Sequence, residues 1–180
     1  MARTTDQPDI RERLLAGAAE VLATDGVEGL TVRRVVEAAG RSTMCVYTKF
    51  GSRGGLMNAV YEQAADSLYA VLERARPVDG SAALGLASAY RRFALANPGA
   101  YALLFDQALP ALGIDESLRG DAVARSAAYF TAAAGEVEAL RFWATMHGLL
   151  TLERSLPRSP AGDWKGFYLQ ALGARSREAC

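Results

Sequence analysis

The stretch Thr31–Phe50 combines basic, hydroxyl and aromatic side chains that could hydrogen-bond to phosphates and to base edges. Between residues 33 and 53, five Arg or Lys residues stand against one Glu, which gives a local charge of +4 in a chain of zero net charge. The hydroxyls of Thr43 and Thr48 can bond to base edges or to phosphates, and Met44 can contact a thymine methyl group. A cationic cluster with such groups favours recognition of DNA.

Two short helices joined by a turn are predicted to position these groups. Thr31 is a suitable N-cap, since its hydroxyl can accept from a backbone N–H of the first turn. Gly40 can adopt the left-handed conformation that ends the first helix. Ser42 can cap the second helix, on which Val46 and Phe50 lie one turn apart and face inward. The pattern is that of a helix–turn–helix.

The segment resembles the N-terminal domain of the tetracycline-repressor (TetR) family. The matching pieces are AAEVLATDGVEGLTVRRVVEAAG and VYTKFGSRGGL, against a family pattern of LYxHF, a Gly or Pro, and SKxxL. The residues that fit this pattern are Tyr47, Phe50, Gly51, Ser52 and Leu56, with Arg53 in place of the usual Lys. The resemblance covers roughly the first third of the chain and implies a three-helix DNA-binding domain.

The DNA-contacting side chains are expected on the second helix, in the turn before it and at neighbouring helix starts. Tyr47 and Lys49 occupy positions where the family contacts the sugar-phosphate backbone, and the helix starts at Thr31 and Ser52 suit phosphate. The predicted DNA-binding residues are Thr31, Arg33, Arg41, Ser42, Thr43, Met44, Cys45, Tyr47, Thr48, Lys49, Ser52 and Arg53. Because several contacts are electrostatic, affinity is expected to fall steeply with salt.

Two features depart from the family pattern. Arg41 occupies a turn position that usually holds a small apolar residue, and its side chain could point to phosphate or loosen the packing of the two helices. Gly54 and Gly55 replace better helix formers in the first turn of the following helix and weaken it by about 1 kcal/mol each.

Composition limits the class of protein. The chain has 180 residues, 51% of them hydrophobic, and lacks the period-two alternation of strands, which predicts an all-α fold. No window of ~20 uninterrupted apolar residues is present. The N-terminus carries acidic residues and no apolar signal region, so a cytoplasmic protein without membrane association is expected. Two cysteines, Cys45 and Cys180, are too few for a disulfide framework, and no metal or cofactor is expected.

After the helix–turn–helix, apolar periodicity predicts about five to six further helices. The first begins at Ser52 and reaches about Arg76, and its length suits a connector between two domains. The expected division is a DNA-binding domain at 1–52 and a regulatory domain at 53–180. The segment 136–155 is the strongest helix of this second part, and the last helix begins near Asp163 and frays into the tail from Gly173.

The second half also resembles the regulatory domain of a TetR subgroup with a Trp-x-x-x-His-Gly motif, through ANPGAYALLF and FWATMHGLL. Trp143, His147 and Gly148 match the motif. The resemblance implies that a small molecule binds between the helices and that the last two helices form a homodimer. The residues suggested for the effector are Tyr61, Tyr101, Phe105, Tyr129, Phe130, Trp143 and His147. Those suggested for the dimer interface are Leu149, Leu152, Glu153, Trp164, Tyr168, Ala171 and Leu172.

Two isolated residues invite other chemistry. His147 is the only histidine, and neither a catalytic set nor a metal-ligand set can be assembled around it, so packing or effector contact is favoured and no enzyme activity is expected. Cys45 could be a redox-sensitive thiol in the reading helix, but a small side chain that fills space is the favoured interpretation.

Taken together, these patterns predict a TetR-type transcriptional regulator, most simply a repressor. A homodimer would bind a palindromic double-stranded DNA operator and be released by a small, largely apolar effector. Two alternatives stay open: a small all-α ligand-binding protein or enzyme with an incidental helix–turn–helix, and a DNA-binding protein that has no effector.

Overall fold

A computed structural model describes residues 9–156 and 162–177, with side chains up to residue 173. Over these residues the chain forms ten α-helices and no β-strand, which confirms the predicted all-α fold. The helices are α1 (Ile10–Thr24), α2 (Val32–Ala38), α3 (Thr43–Phe50), α4 (Arg53–Glu73), α5 (Ala82–Ala96), α6 (Pro98–Phe105), α7 (Leu109–Leu112), α8 (Ser117–Ala134), α9 (Glu136–Ser155) and α10 (Trp164–Arg177).

The chain divides into two compact units. The first takes the chain up to Asp66 together with Asn97–Arg119, and the second takes Ser67–Ala96 together with the chain from Gly120 onward. The boundary falls inside α4, which contributes residues to both units. The predicted boundary at residue 52, between a DNA-binding domain and a regulatory domain, concerns function and stays a prediction.

In the first unit, α1 and α2 pack in very close contact. Leu14, Ala18 and Val21 form the buried face of α1. At Gly17 a Cβ atom would lie 2.9 Å from both the Val35 carbonyl oxygen and the Ala39 amide nitrogen. Contact this close needs a glycine, because any side chain would meet backbone atoms that cannot move independently.

The region 98–113 contains a short helix that the sequence pattern did not predict. The sequence pattern predicts one helix that begins at Pro98 and that Pro110 and Gly113 end, but the helix that begins at Pro98 ends at Phe105. Pro110 instead lies in the first turn of α7, where its missing N–H costs nothing, and Gly113 ends α7 with φ +74°. A proline that stops one helix in a sequence pattern can equally begin another.

In the second unit, α5 packs against both α9 and α10. The buried side chains include Tyr90, Phe93, Phe130, Met146 and Tyr168.

The predicted limits of α9 are confirmed at Glu136 and Ser155, with Gly135 before it at φ +81°. Helix α4 ends at Glu73, three residues before the predicted end. Helix α10 continues to Arg177, beyond the point where fraying was predicted.

Candidate nucleic-acid interface

The turn between α2 and α3 is a well-defined helix stop followed by a helix start. The Gly40 N–H donates to the Glu37 carbonyl at 3.1 Å, and the Arg41 N–H donates to the Val36 carbonyl at 2.8 Å. With Gly40 at φ +61°, these bonds form a Schellman motif, which confirms the predicted role of this glycine. The turn therefore sets the direction in which α3 leaves α2.

Hydroxyl residues stand at the start of three successive helices. The Thr31 hydroxyl accepts from the Arg34 N–H at 3.3 Å, so its predicted capping role is confirmed. The Ser52 hydroxyl accepts from the Gly55 N–H at 3.0 Å. Ser42 is the N-cap residue of α3, but its hydroxyl makes no capping bond and lies 3.7 Å from the Cys45 sulfur. All three side chains are exposed and can approach a phosphate.

Helix α3 presents a continuous exposed face. Val46 is fully buried and Phe50 half-buried, as the helical spacing predicts. The opposite face carries the exposed residues Thr43, Met44, Tyr47 and Thr48. Met44 is 69% and Tyr47 54% exposed, which is a large apolar area for so short a helix and is typical of a contact surface.

One predicted phosphate contact, Lys49, is engaged within the first unit. Its ammonium donates to Asp9 Oδ1 at 3.0 Å, although the two residues are 40 positions apart. This hydrogen bond lowers the pKa of the Asp9 carboxyl below its ordinary value. Asp9 is also the residue directly before α1, where its N–H donates to the Glu12 carboxylate at 3.1 Å.

Arg34 is likewise neutralised. Its Nε donates to Asp25 Oδ2 at 3.0 Å, and its Nη1 donates to Glu37 Oε2 at 3.2 Å. The bond from Arg34 lowers the pKa of Asp25, and Asp25 raises the pKa of Arg34 in return. The local charge of +4 does not include these two carboxylates, because Asp9 and Asp25 lie outside residues 33–53, over which it was counted.

Of the five basic residues between 33 and 53, three have no carboxylate partner among the described residues: Arg33, Arg41 and Arg53. Arg33 and Arg53 are exposed. Arg41 is half-buried and folds back, with Nη1 donating to the Gly40 carbonyl at 3.3 Å. Its Nε is buried and has no hydrogen-bond partner.

Cys45 has a free thiol and is half-buried in α3. Its sulfur lies 3.7 Å from the Ser42 hydroxyl, and no basic side chain of the described residues is bonded to it. The second cysteine, Cys180, lies outside the described residues. The redox hypothesis stays a prediction without a geometric argument in its favour.

Three of the suggested effector residues lie in the first unit: Tyr61, Tyr101 and Phe105. Tyr61 and Tyr101 are buried, and the Tyr101 and Phe105 rings are 5.1 Å apart. The Tyr61 hydroxyl donates to the Leu104 carbonyl at 3.4 Å. Burial raises the pKa of this hydroxyl, while the nearby Arg119 guanidinium opposes the shift.

Three others form an aromatic cluster in the second unit with Tyr90, which sequence reasoning left out of the site. The Trp143 ring centre lies 4.8 Å from that of His147, 5.3 Å from that of Tyr90 and 5.6 Å from that of Phe130. The Tyr90 hydroxyl and His147 Nε2 share a hydrogen bond of 2.8 Å. Only the packing of α5 against α9 reveals Tyr90, because it lies 57 positions before His147.

Tyr129, the seventh suggested residue, faces a different feature. It lines a groove of about 280 Å³ whose other walls are aliphatic side chains of α4, α5 and α8, with Leu72 and Leu86 among them. The Tyr129 hydroxyl donates to the Glu73 carboxylate at 2.8 Å. Burial raises the pKa of Tyr129, and the Glu73 carboxylate adds to that shift.

Several residues suggested for the dimer interface are engaged inside the second unit. Tyr168 and Leu172 are buried, and the Tyr168 hydroxyl donates to the Ala87 carbonyl at 3.3 Å. Glu153 forms a two-bonded ion pair with Arg91, in which Nε donates to Oε2 at 2.8 Å. Leu149, Trp164 and Ala171 are half-buried, and Leu152 is exposed.

Helix α9 carries an exposed apolar stripe, of which only Leu152 is among the residues suggested from the sequence for the dimer interface. It consists of Val137, Leu140, Ala144, Gly148 and Leu152, spaced three or four residues apart, and is called the α9 stripe below. Leu140 is 73% and Val137 69% exposed. Nothing lies within 4 Å of the position of a Cβ at Gly148. The same spacing was readable in the sequence as a second apolar face of this helix.

Two other classes of site find no support in the part of the chain that the structure describes. No three His, Cys, Asp or Glu side chains come together there in a way that could hold a metal ion. Over residues 9–156 and 162–177, no helix is both long enough and apolar enough to cross a bilayer.

Solved structures of other proteins share this fold over most of the chain. The protein SCO4313 is 22% identical, with a TM-score of 0.74 over 96% of this chain and 97% of that one. A TetR-family member from Streptomyces coelicolor A3, SCO1917, is 20% identical, with a TM-score of 0.71 over 93% and 98%. The multidrug binding protein EbrR, solved with imidazole, is 21% identical, with a TM-score of 0.67 over 93% and 95%.

Sequence comparison covers the two parts of the chain separately. No curated protein sequence matches the chain. Residues 14–60 match the domain described as "Bacterial regulatory proteins, tetR family". Residues 83–164 match the domain described as "Tetracyclin repressor-like, C-terminal domain". With a TetR domain matched in each part and a shared fold, the chain belongs to the TetR family of bacterial regulatory proteins.

Proposed function

We propose that the protein is a transcriptional repressor that binds a palindromic DNA operator as a homodimer and is released by a small, largely apolar effector. The observation that carries the proposal is the exposed face of α3, with Met44 and Tyr47 prominent on it, directly after a turn that bears Arg41. Helix α3 would enter the major groove as the recognition helix of a helix–turn–helix.

The contacts to the DNA backbone would surround this face. Arg33, Arg53 and the exposed hydroxyls of Thr31, Ser42 and Ser52 are available for phosphates. Lys49 would join them after leaving Asp9. Thr43, Tyr47 and Thr48 would contact bases or sugars, although the Thr48 hydroxyl already donates to the Met44 carbonyl at 2.9 Å and would act there as an acceptor.

The α9 stripe supports the dimer. A soluble chain that leaves Val137, Leu140 and Leu152 exposed along one helix gains free energy when a second copy covers them. Gly148 in the middle of the stripe would let the partner helix approach closely. A two-fold dimer would place two copies of α3 one DNA turn, about 34 Å, apart.

For the effector we propose the cluster of Tyr90, Phe130, Trp143 and His147, and we place the chain in the Trp-x-x-x-His-Gly subgroup. Tilted and edge-on aromatic rings around the hydrogen-bonded Tyr90–His147 pair suit a planar apolar molecule with one polar group, which could replace the Tyr90–His147 bond. EbrR, which shares the fold, has been solved with malachite green and with ethidium, both planar aromatic compounds.

Release would require that the effector bind one conformation of the dimer more tightly than the other. Helix α4 contributes residues to both units and is the proposed connector. An effector that shifts its second half would change the separation of the two reading helices, so that the half-sites no longer match.

Selection of bound fragments from random double-stranded DNA by the purified protein tests the proposal. We expect an inverted repeat whose half-sites lie about one helical turn apart, and binding that weakens steeply with salt. Recovery of no common motif, with no salt-sensitive shift, would instead favour a helical ligand-binding protein. If the protein binds a common motif and no planar aromatic compound tried, ethidium and malachite green included, releases it from the DNA, a DNA-binding protein without an effector is favoured.

A further inference from the structure

Arg41 differs from every other side chain near the reading face in the hydrogen bonds it can make. A base pair is read most selectively by two parallel hydrogen bonds, from Arg or Lys to guanine or from Asn or Gln to adenine. Residues 41–50 contain no Asn, Gln, Asp or Glu, and their only basic residues are Arg41 and Lys49. Lys49 is bonded to Asp9. Within residues 41–50, only Arg41 offers a two-pronged donor, and no carboxylate of the described residues pairs with it.

The backbone of Arg41 is held firmly, whereas its guanidinium is not. Its N–H donates to the Val36 carbonyl at 2.8 Å, and the next residue, Ser42, is the N-cap of α3. Among the described residues, its side chain is bonded only to the carbonyl of the preceding Gly40, at 3.3 Å. A single bond of this length is weak and is easily exchanged for the two bonds that a guanine offers.

The buried Nε is the second observation. It is shielded from solvent and has no acceptor, a state that hydrogen-bonding groups in folded proteins rarely keep. A guanidinium that swings away from Gly40 toward a base edge would satisfy its unpaired donors and give up a single weak bond. The starting end of a recognition helix is also where residues reach base edges in the major groove.

We propose that Arg41 reads one guanine in each operator half-site, with its guanidinium donating to the O6 and N7 atoms of that base. The inference rests on the proposed DNA-binding function and adds the identity of the base. The face of α3 offers hydroxyl and apolar groups only, so the other half-site positions are less sharply specified. The motif therefore contains one dominant G·C pair per half-site.

The test repeats the random-DNA selection with three variants: Arg41→Met, Arg41→Lys and, as a matched control, Arg33→Met. Arg41→Met keeps the aliphatic stem that lies in the turn. We expect it to lose the guanine preference and to bind the selected site about 10- to 100-fold more weakly for each half-site, as the loss of one two-bonded base contact per half-site predicts. It should bind the site with that G·C pair replaced as well as it binds the original. Arg41→Lys keeps part of the preference.

Arg33→Met should behave differently, because Arg33 is exposed and lies on α2. A lost phosphate contact weakens binding to all sequences equally and reduces the salt slope by about one for each protomer. If Arg41→Met follows this second pattern, or keeps the guanine preference, the proposal is overturned and Arg41 is a phosphate contact or a packing residue.

A second measurement does not depend on the folding of any variant. The unmodified protein is titrated with operator DNA in which the selected guanine is replaced by 7-deazaguanine, which lacks the N7 acceptor. We expect weaker binding with this substitution and no change with 7-deazaguanine at a neighbouring position. Equal affinity for the unmodified operator and for the operator with 7-deazaguanine at the selected position would contradict the proposal, even if the protein binds the operator tightly. Absence of any sequence-specific binding by the unmodified protein would overturn the proposed function itself.

Discussion

At the scale of single residues, ion pairs decide which cations the interface can offer. Lys49 and Arg34 lie in the helix–turn–helix, yet each is bonded to a carboxylate of the first unit. These pairs are exposed, so they exchange readily with solvent and with phosphate. The Asp25 and Asp9 carboxylates therefore compete with the DNA phosphates for Arg34 and Lys49.

The pair formed by Lys49 and Asp9 can be tested by Asp9→Asn. Asparagine is also a good N-cap, so α1 keeps its start while Lys49 loses its partner. We expect tighter DNA binding and a salt slope steeper by about 0.9 for each protomer, the value for one further phosphate contact. Measurement of the dissociation constant against salt concentration checks this. Glu62→Gln, which removes an exposed carboxylate from α4, is the control, and weaker binding by Asp9→Asn would mean that Asp9 positions Lys49 for DNA.

The pair formed by Arg34 and Asp25 predicts a pH dependence. The lowered pKa of Asp25 stabilises the fold at pH values above the unfolded pKa of about 3.9, and this contribution is lost as the pH falls through the lower folded pKa. In Arg34→Gln we expect the pKa of Asp25 to return toward its ordinary value, measured by NMR titration. Asp115, whose pKa is lowered by the Ser117 N–H, should not change and serves as the internal reference. An unchanged Asp25 would mean that Arg34 is not its main partner.

At the scale of the elements, α3 is positioned by contacts that begin at α1. Helix α1 packs against α2, and the Schellman turn after α2 sets the start of α3. Helices α1 and α2 approach each other closely at Gly17, where a Cβ would lie 2.9 Å from backbone atoms of Val35 and Ala39. The direction of the reading helix therefore depends on a glycine 26 positions before it.

Gly17→Ala tests that contact. A Cβ 2.9 Å from two backbone atoms would force α1 and α2 apart, and we expect a loss of about 1–3 kcal/mol in the free energy of unfolding. Urea denaturation measures it. The matched control is Gly120→Ala in α8, where a Cβ meets nothing within 4 Å and alanine should stabilise the helix by up to about 1 kcal/mol. Equal stabilisation by both changes would show that α1 and α2 are not in close contact.

At the scale of the whole molecule, the α9 stripe is the surface on which the proposed dimer depends. It faces away from Ala139, Met146 and Leu150, the side chains with which α9 packs in its own unit. A single helix thus has one apolar face for the core and another with no cover in the described chain. The Arg91–Glu153 pair helps to hold α9 against α5.

Leu140→Glu is expected to separate the dimer, because it places a charge in the middle of an apolar contact. Sedimentation should then give the mass of one chain, and circular dichroism should show an unchanged helix content. Operator binding should fall by more than tenfold, because the two protomers that bind the half-sites are no longer linked. Val123→Glu, at an exposed apolar position of α8, should leave the mass unchanged. A Leu140→Glu protein that stays dimeric would exclude the α9 stripe as the interface.

Much of the fold was predictable because its signals are local. Caps at Thr31 and Ser52 and the left-handed Gly40 lie within three or four residues of the groups they satisfy. The buried Val46 follows from helical spacing alone. Helix α7 was missed because a proline can either end a helix or begin one. Of the α9 stripe only Leu152 was suggested for the dimer interface, because one apolar face of this helix had already been assigned to the core.

The sequence by itself determined which side chains of α3 face outward, since the helical period and the caps are properties of neighbouring residues. Only the tertiary structure decided which cations near that face are unpaired, because Asp9 approaches Lys49 from 40 positions away. It also decided that Tyr90 belongs with Trp143 and His147, while Tyr61 lies in the other unit. Contacts between distant segments depend on how helices pack, and that information is spread over the whole chain rather than held in any one motif.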